Sequence, residues 1–366
     1  MKTQFKLITL ATLLATAVGA AWASPSFKAG TYTATAPGIH GNVTVEVTFT
    51  ANKIADIKVT KQAETVGIGS KAVEILPGRM LAAQASAVDG ITGATITTQA
   101  IRTAVSDCIK QAGVDPTVLV PLVVKKTGGQ KTLETDMVVV GGGGSGMSAT
   151  IRGRMNGMNV ILVEKMPYIG GAAAISGGQV VAQGSKLQKA FGSTEDSPES
   201  MIKDFMANGH NLNDPGKISL YANNVGATID WLHEQVGVKF IPNDLPYLAE
   251  YSHRRALEFE GGAKTMAQHL REVIAGNGAQ VLYSTRVEKL LQDKDGRVIG
   301  VEATDDNGVK YTIKSKATLL TTGGFGNNKD MLVEPIKSTL YYGPVSSTGD
   351  GHRMAMELGA KTQLMQ

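Results

Sequence analysis

The glycine-rich stretch VVVGGGGSG, residues 138–146, constrains the fold of this chain more than any other feature of the sequence. In it, Gly141, Gly143 and Gly146 follow an apolar run with the G-x-G-x-x-G spacing of a dinucleotide-binding turn. The first glycine permits the tight turn, the second lets the backbone approach a pyrophosphate, and the third lets the next helix pack closely. Glu164 ends the next apolar run, 18 positions beyond Gly146, where it can accept hydrogen bonds from an adenosine ribose and would repel a 2′-phosphate. The set predicts a βαβ unit that binds a dinucleotide, and it does not by itself choose FAD over NAD.

Three later stretches favour FAD. EKMPYIGGAAAISGG, residues 164–178, carries two Gly-Gly pairs soon after the ribose acid, so backbone can run along the second half of a dinucleotide. STRVEKLL, residues 284–291, places Val287 on a predicted edge strand, where it can contact an adenine. ATLLTTGGFG, residues 317–326, predicts a buried strand that ends in Gly-Gly beside the first strand. Each stretch taken alone fits a turn or a core strand equally well.

With these motifs, residues 136–366 resemble the flavoprotein portion of the fumarate reductase and succinate dehydrogenase superfamily. The resemblance is greatest to soluble bacterial flavocytochrome c fumarate reductases and urocanate reductases, and STGDGHRMAMELGA, residues 347–360, adds to it. Ala172 departs from the family, in which asparagine is frequent at that position and would add a side-chain hydrogen bond. The resemblance implies FAD contacts at Ser145, Glu164, Ala172, Ala173, Gly177, Gly178, Val287 and Asp350.

The segment before the glycine motif has a different pattern. Residues 31–62 alternate β-branched and polar side chains between turn signals, which predicts three antiparallel strands. Residues 70–84 predict a helix with a Pro-Gly break, and residues 97–113 predict a helix that is capped by threonine and ended by Gly113. We therefore predict an α+β domain over residues 24–115, a Pro/Gly linker over 116–134, and an incomplete α/β Rossmann-like FAD-binding domain over 135–366.

The stretch DGITGATITTQA, residues 89–100, lies just before the second predicted helix. With the strands that precede it, it resembles the FMN-binding domain of sodium-pumping quinone reductase and Rnf subunits, whose Asp-x-x-Ser/Thr-Gly-Ala-Thr motif carries FMN as a phosphodiester. The resemblance implies that Thr95 is the covalent attachment residue. ETVGIG, residues 64–69, resembles a second loop of that family, with Val66 in place of proline. The alternative is a plain helix start, in which Thr95 or Thr97 only caps the helix.

The first 23 residues predict an export signal. Lys2 and Lys6 precede an apolar run that ends in a small-x-small cleavage pattern at Ala21–Ala23, so we expect a periplasmic protein, with membrane anchoring as the alternative. Without the two lysines, 34 basic and 32 acidic residues remain, which gives no electrostatic case for nucleic acid.

The few metal-ligating side chains bound the redox chemistry. Cys108 is the only cysteine, which excludes an internal disulfide, a haem-attaching Cys-x-x-Cys-His motif and a cysteine-rich metal site. The six histidines show no metal-ligand spacing, so we expect no metal site. Redox chemistry in this chain therefore requires an organic cofactor.

Two flavins on one exported chain indicate electron flow from an external donor, for which we expect a membrane quinol-linked carrier, through FMN to FAD. The family resemblance implies reduction of a small α,β-unsaturated carboxylate of fumarate or urocanate type, with an arginine as proton donor. The family's substrate-proximal motif, capping domain and final FAD segment are expected beyond Gln366, so we expect a truncated chain and assign no catalytic residue. The cluster His253, Arg254 and Arg255 could contact FAD phosphates or a carboxylate, or form surface salt bridges with glutamates. The alternative functions are an electron-transfer module without substrate chemistry and an inactive fragment.

Overall fold

A computed structural model of the protein describes residues 25–123 and 126–363. The predicted export signal lies outside the described residues. The N-terminal domain consists of an antiparallel three-stranded sheet in the order β1-β2-β3 and two helices packed on it. Its elements are β1 (Gly30–Pro37), β2 (Asn42–Thr50), β3 (Lys53–Lys61), α1 (Gly69–Ala83) and α2 (Thr95–Gln111). The predicted α+β class and the three predicted strands are confirmed.

The core of this domain follows from the alternation along β2. Val43, Val45, Val47 and Phe49 are buried and point to one face of the sheet, because side chains of a strand alternate between its two faces. The helices α1 and α2 cover that face. This packing fixes the position of the two loops that precede the helices.

Both helices begin or continue differently from the sequence prediction. The prediction of a Pro-Gly break was wrong, since α1 runs through Pro77 without interruption. A proline inside a helix costs about 3 kcal/mol, but Leu76 and Met80 are fully buried on the inner face of α1 and hold the helix in place. The threonine cap was also wrong, because α2 begins at Thr95 after Ala94 and no side chain caps it.

The second domain is built on a six-stranded mixed sheet in the order β8-β5-β4-β11-β10-β9. The central strands are parallel, whereas β9, β10 and β11 form an antiparallel meander at one edge. The strands of the sheet are β4 (Gln130–Val140), β5 (Val160–Val163), β8 (Gln280–Leu282), β9 (Thr285–Gln292), β10 (Val298–Asp305) and β11 (Lys310–Leu320), and β6 (Gln179–Val181) pairs separately with β7 (Ala256–Glu258). The helices are α3 (Gly144–Met155), α4 (Lys186–Ala190), α5 (Pro198–Asn208), α6 (Pro215–Trp231), α7 (Gly262–Gly276) and α8 (Asp350–Glu357). The predicted βαβ unit is β4-α3-β5, and the predicted α/β class is confirmed.

Strand β4 is longer than the sequence pattern indicated. It pairs in parallel with β11 from Gln130 opposite Lys310 to Val140 opposite Leu320. The strand therefore begins inside the segment 116–134 that we predicted as a linker, because β11 offers hydrogen-bond partners along its whole length. β11 lies beside β4, the first strand of the βαβ unit, as predicted. Its last residues are not buried as predicted, since Leu319 is 39% exposed.

Two apolar clusters stabilise the second domain, one on each face of the sheet. One lies between the sheet and helices α3, α6 and α7, and the other between the sheet and α8. Within residues 25–123 and 126–363, no helix combines the length and apolar character that a membrane span requires.

Candidate flavin sites

A cavity of about 620 Å³ opens at the carboxyl ends of β4, β5 and β11. Ligands of open α/β sheets bind at this end of the strands. Eight of the predicted FAD contacts line the cavity together, namely Gly141, Gly143, Ser145, Glu164, Ala172, Ala173, Val287 and Asp350. Val287 lies on β9, which is an edge strand as predicted.

The glycine turn forms an open cradle between β4 and α3. Gly141 has φ +102°, and a Cβ there would approach the Thr321 carbonyl oxygen to 2.5 Å. A Cβ at Gly146 would collide with the carbonyl oxygen of Gly141, so both positions need glycine for packing. A Cβ at Gly143 would meet no protein atom within 4 Å, and the residue lines the cavity at the start of α3. The space at Gly143 and the free N–H groups of the helix start fit a pyrophosphate.

Glu164 is buried at the end of β5 and is held by backbone on both sides. Its Oε2 accepts from Gly142 N at 2.7 Å and its Oε1 accepts from Met166 N at 2.7 Å. Burial raises the pKa of Glu164 above its ordinary value, although these two hydrogen bonds act to lower it. Each carboxylate oxygen keeps acceptor capacity for a ribose hydroxyl, so the residue fits its predicted role.

Asp350 begins α8 and is surrounded by cations. Its carboxylate lies 2.8 Å from Lys165 Nζ and 2.7 Å from nitrogens of Arg286 and Arg353. Burial acts to raise the pKa of Asp350, but hydrogen bonding and charge from Lys165, with charge from Arg286, outweigh it and hold the pKa below its usual value. The carboxylate therefore stays ionised and orients the side chains of Lys165 and Arg286 at the cavity edge. Lys165 and Arg286 adjoin Glu164 and Val287 in the sequence, but nothing in the sequence indicates that they pair with Asp350.

Three predicted site residues do not line the cavity. Gly146 lies behind the turn, where it allows α3 to pack against β4. Gly178 has φ +87° and packs against the start of α7, and its carbonyl accepts from Phe259 N. Gly177 has open space where a Cβ would be. His352, for which we predicted no role from the sequence, does line the cavity.

The cluster His253, Arg254 and Arg255 does not line the cavity, and the salt bridges predicted for it on the surface are wrong. Arg255 is fully buried and forms a bidentate pair with Asp196, at 2.7 and 2.8 Å, and a further ion pair with Asp204. Its partners are aspartates from another part of the chain. The group ties β7 to α5, so its role is structural.

In the N-terminal domain, Thr95 is the exposed first residue of α2. Thr97 donates to the buried carboxylate of Glu64, and the hydroxyl of Thr98 accepts from Ile91 N. The Thr95 hydroxyl, by contrast, makes no hydrogen bond within the described part of the chain. An accessible, unpartnered hydroxyl at a helix start fits a covalent phosphate, whereas the cap interpretation finds no capping bond.

The described residues contain no group of three or more histidine, cysteine, aspartate or glutamate side chains arranged to hold a metal ion.

Comparison with known proteins places both domains. Residues 136–366 match the family model of the FAD binding domain, and residues 38–110 match that of the FMN-binding domain. The chain is 32% identical to a urocanate reductase of Eggerthella lenta, over 92% of this chain and 56% of that protein. It is 27% identical to an NADH:fumarate oxidoreductase of Klebsiella pneumoniae, over 92% of this chain and 36% of that protein.

Among solved structures, the open conformation of a flavocytochrome c3 fumarate reductase is similar, with a TM-score of 0.59 and 32% identity over 63% of this chain and 41% of that one. The chain thus spans about half, or less, of the length of these relatives.

Proposed function

Because the chain belongs to the family defined by the FAD binding domain, we propose that it is the flavin-carrying part of a reductase of α,β-unsaturated carboxylates, of fumarate or urocanate type. The observation that carries the proposal is the cavity at the strand ends, where eight predicted FAD contacts meet. The urocanate and fumarate reductases among the relatives support the substrate class.

The residues of the cavity divide the binding of the dinucleotide among them. The turn at Gly141 and Gly143 would receive the pyrophosphate, Glu164 would accept from the ribose, and Val287 would contact the adenine, since all four residues line the cavity. When bound, FAD supplies the two-electron chemistry that reduction of a carbon–carbon double bond requires. We assign no proton donor to the described residues, and Asp350 holds the nearby cations Lys165 and Arg286 in ion pairs.

We extend the proposal to the N-terminal domain and to the location of the protein. Thr95 would carry FMN as a phosphodiester, and that flavin would receive electrons from an external donor linked to membrane quinol. Residues 1–23 would direct export to the periplasm, on the pattern of Lys2 and Lys6 before an apolar run.

Anaerobic reoxidation tests the proposal in the full-length protein. Its flavins are reduced with dithionite, excess reductant is removed, and fumarate, urocanate or acrylate is added while flavin absorbance is followed. We expect at least one acid to restore the oxidised spectrum with formation of its saturated product, and succinate to leave the spectrum unchanged. Reoxidation by none of a panel of unsaturated acids would contradict the reductase and favour the second candidate, an electron-transfer module without substrate chemistry.

A further inference from the structure

A second, smaller cavity of about 180 Å³ lies where the two domains meet. The N-terminal domain contributes Ile68 and Gly93 to its lining. The second domain contributes apolar side chains and one phenol, from Met166, Tyr168, Ile175 and Val345. Four further residues, Glu164, Gly171, Pro344 and Ser346, line both this cavity and the dinucleotide cavity. The second cavity therefore adjoins the FAD site from the side of the N-terminal domain.

Two glycine loops of the N-terminal domain press against the second domain at this boundary. Gly93 has φ +83° and lies so close to the hydroxyl of Tyr168 that a Cβ there would collide with it. Gly67 has φ +77° and stands in the same relation to the guanidinium of Arg271. These loops are the two stretches, 64–69 and 89–100, that resemble the FMN-binding family. The contacts therefore bring the attachment loop directly to the wall of the second cavity.

We propose that the second cavity receives the dimethylbenzene edge of the FMN carried by Thr95, so that the FAD-binding domain supplies one wall of the FMN site. This inference rests on the proposed attachment at Thr95. Gly93 lines the cavity only two residues before Thr95, a separation that a phosphate and ribityl chain spans easily. The volume suits the occupant, because a dry apolar cavity of roughly 150 Å³ accepts a benzene ring.

The lining of the cavity matches the chemistry of a methylated aromatic ring. Ile68, Met166 and Ile175 offer apolar and polarisable contacts, and the ring of Tyr168 can stack on or meet the edge of a flavin. At the same boundary, Arg271 donates from Nε to the Ile169 carbonyl, while its buried Nη1 has no partner among the described residues. Its positive charge favours a phosphodiester at the neighbouring loop.

Flavin fluorescence tests the inference, since a tyrosine in contact with the ring quenches its emission. The Tyr168→Leu variant is compared with Tyr283→Leu, because Tyr283 lies at the same boundary beside Lys71 but does not line the cavity. Both are measured in the holoprotein carrying FMN, and the emission of a Thr95→Ala protein is subtracted to remove the FAD signal. We expect Tyr168→Leu to raise FMN emission several-fold and Tyr283→Leu to leave it unchanged.

Iodide quenching of the unsubstituted protein gives a second measurement that needs no variant. We expect the FMN emission to be several-fold less sensitive to iodide than that of free FMN. An attached FMN that iodide quenches as readily as free FMN, with equal emission in both tyrosine variants, would show that the ring does not bind in the second cavity, and would leave the attachment at Thr95 intact. Absence of the FMN mass on the protein would contradict both the attachment at Thr95 and the binding of the ring in the cavity.

Discussion

At the scale of single residues, Glu164 shows how a short sequence signal becomes a binding group. Its position after the second strand can be predicted from the sequence, since the strand–turn–helix–strand spacing fixes it. The two hydrogen bonds that it accepts from the backbone of Gly142 and Met166 cannot be predicted, because they depend on how the glycine turn folds back on the strand end. The buried carboxylate is therefore fixed in orientation before a ligand arrives.

We predict that FAD affinity rises with pH as Glu164 ionises. Ribose hydroxyls donate to the ionised carboxylate, and burial raises the pKa of Glu164, so affinity is gained as pH rises through that elevated pKa. The raised pKa also affects the stability of the apoprotein, because the folded state binds the proton more tightly than the unfolded state. Stability is therefore lost as pH rises from the ordinary pKa of a glutamate through the raised pKa of Glu164. Fluorescence titration with FAD at a series of pH values checks this. Glu164→Gln should weaken binding by about 1–3 kcal/mol and abolish the pH dependence. A pH dependence that survives in the variant would refute the assignment.

The buried ion pairs of Arg255 belong to the same scale. Arg255→Ala should destabilise the protein by about 3–5 kcal/mol, because Asp196 and Asp204 would keep uncompensated buried charge. The adjacent Arg254→Ala is the control, since Arg254 is exposed and, within the described part of the chain, its side chain donates one hydrogen bond, to the Leu245 carbonyl. Urea unfolding measures both, and equal midpoints for the two variants would show the buried network to be dispensable. The network could not be predicted from the sequence, because the aspartates lie more than fifty positions before Arg255.

At the scale of elements, the turn between β4 and α3 separates binding from packing. Gly146 is needed because a side chain there collides with backbone, whereas Gly143 borders open cavity space. Both were predicted from one motif, but only the structure distinguishes their roles. In helix α1 the local signal was misleading, since Pro77 predicts a break but the burial of Leu76 and Met80 keeps the helix continuous.

We predict opposite phenotypes for alanine at the two glycines. Gly143→Ala should leave the free energy of unfolding of the apoprotein within about 0.5 kcal/mol, because its φ of −73° suits alanine, while FAD affinity falls at least tenfold. Gly146→Ala should destabilise the apoprotein itself, because the Gly141 carbonyl must move. Thermal unfolding without FAD and titration with FAD distinguish the two. Undiminished FAD affinity in Gly143→Ala would show that the pyrophosphate does not occupy the turn.

At the scale of the whole molecule, the two domains have separate cores. The apolar cluster of the first lies within residues 27–119, and those of the second lie within residues 138–354, with no shared member. The order of the two domains and their classes were predictable, because periodicity changes from alternation to a glycine-turn unit. Their mutual contacts, such as that of Gly93 with Tyr168, were not, since nothing local encodes which surfaces meet.

We therefore predict two calorimetric unfolding transitions that respond differently to FAD. A ligand at 100 times its dissociation constant stabilises the domain that binds it by about 2.7 kcal/mol. The transition of the second domain should rise by several degrees with FAD, and that of the N-terminal domain should move far less. In Gly143→Ala, whose FAD affinity falls at least tenfold, the same FAD concentration should stabilise the second domain by at most about 1.4 kcal/mol and shift its transition correspondingly less. A single transition that moves as a whole would show one cooperative unit instead.

The central claim, two flavins on one chain with one of them tethered at Thr95, is tested most directly by intact mass. The unsubstituted protein, Thr95→Ala and the control Thr97→Val are each expressed with the flavin-attaching machinery. Thr97 is the control because its hydroxyl already donates a hydrogen bond to Glu64. We predict an added mass of FMN minus water in the unsubstituted protein and in Thr97→Val, and none in Thr95→Ala. An unmodified mass in all three, or a modification that persists without Thr95, would contradict the account.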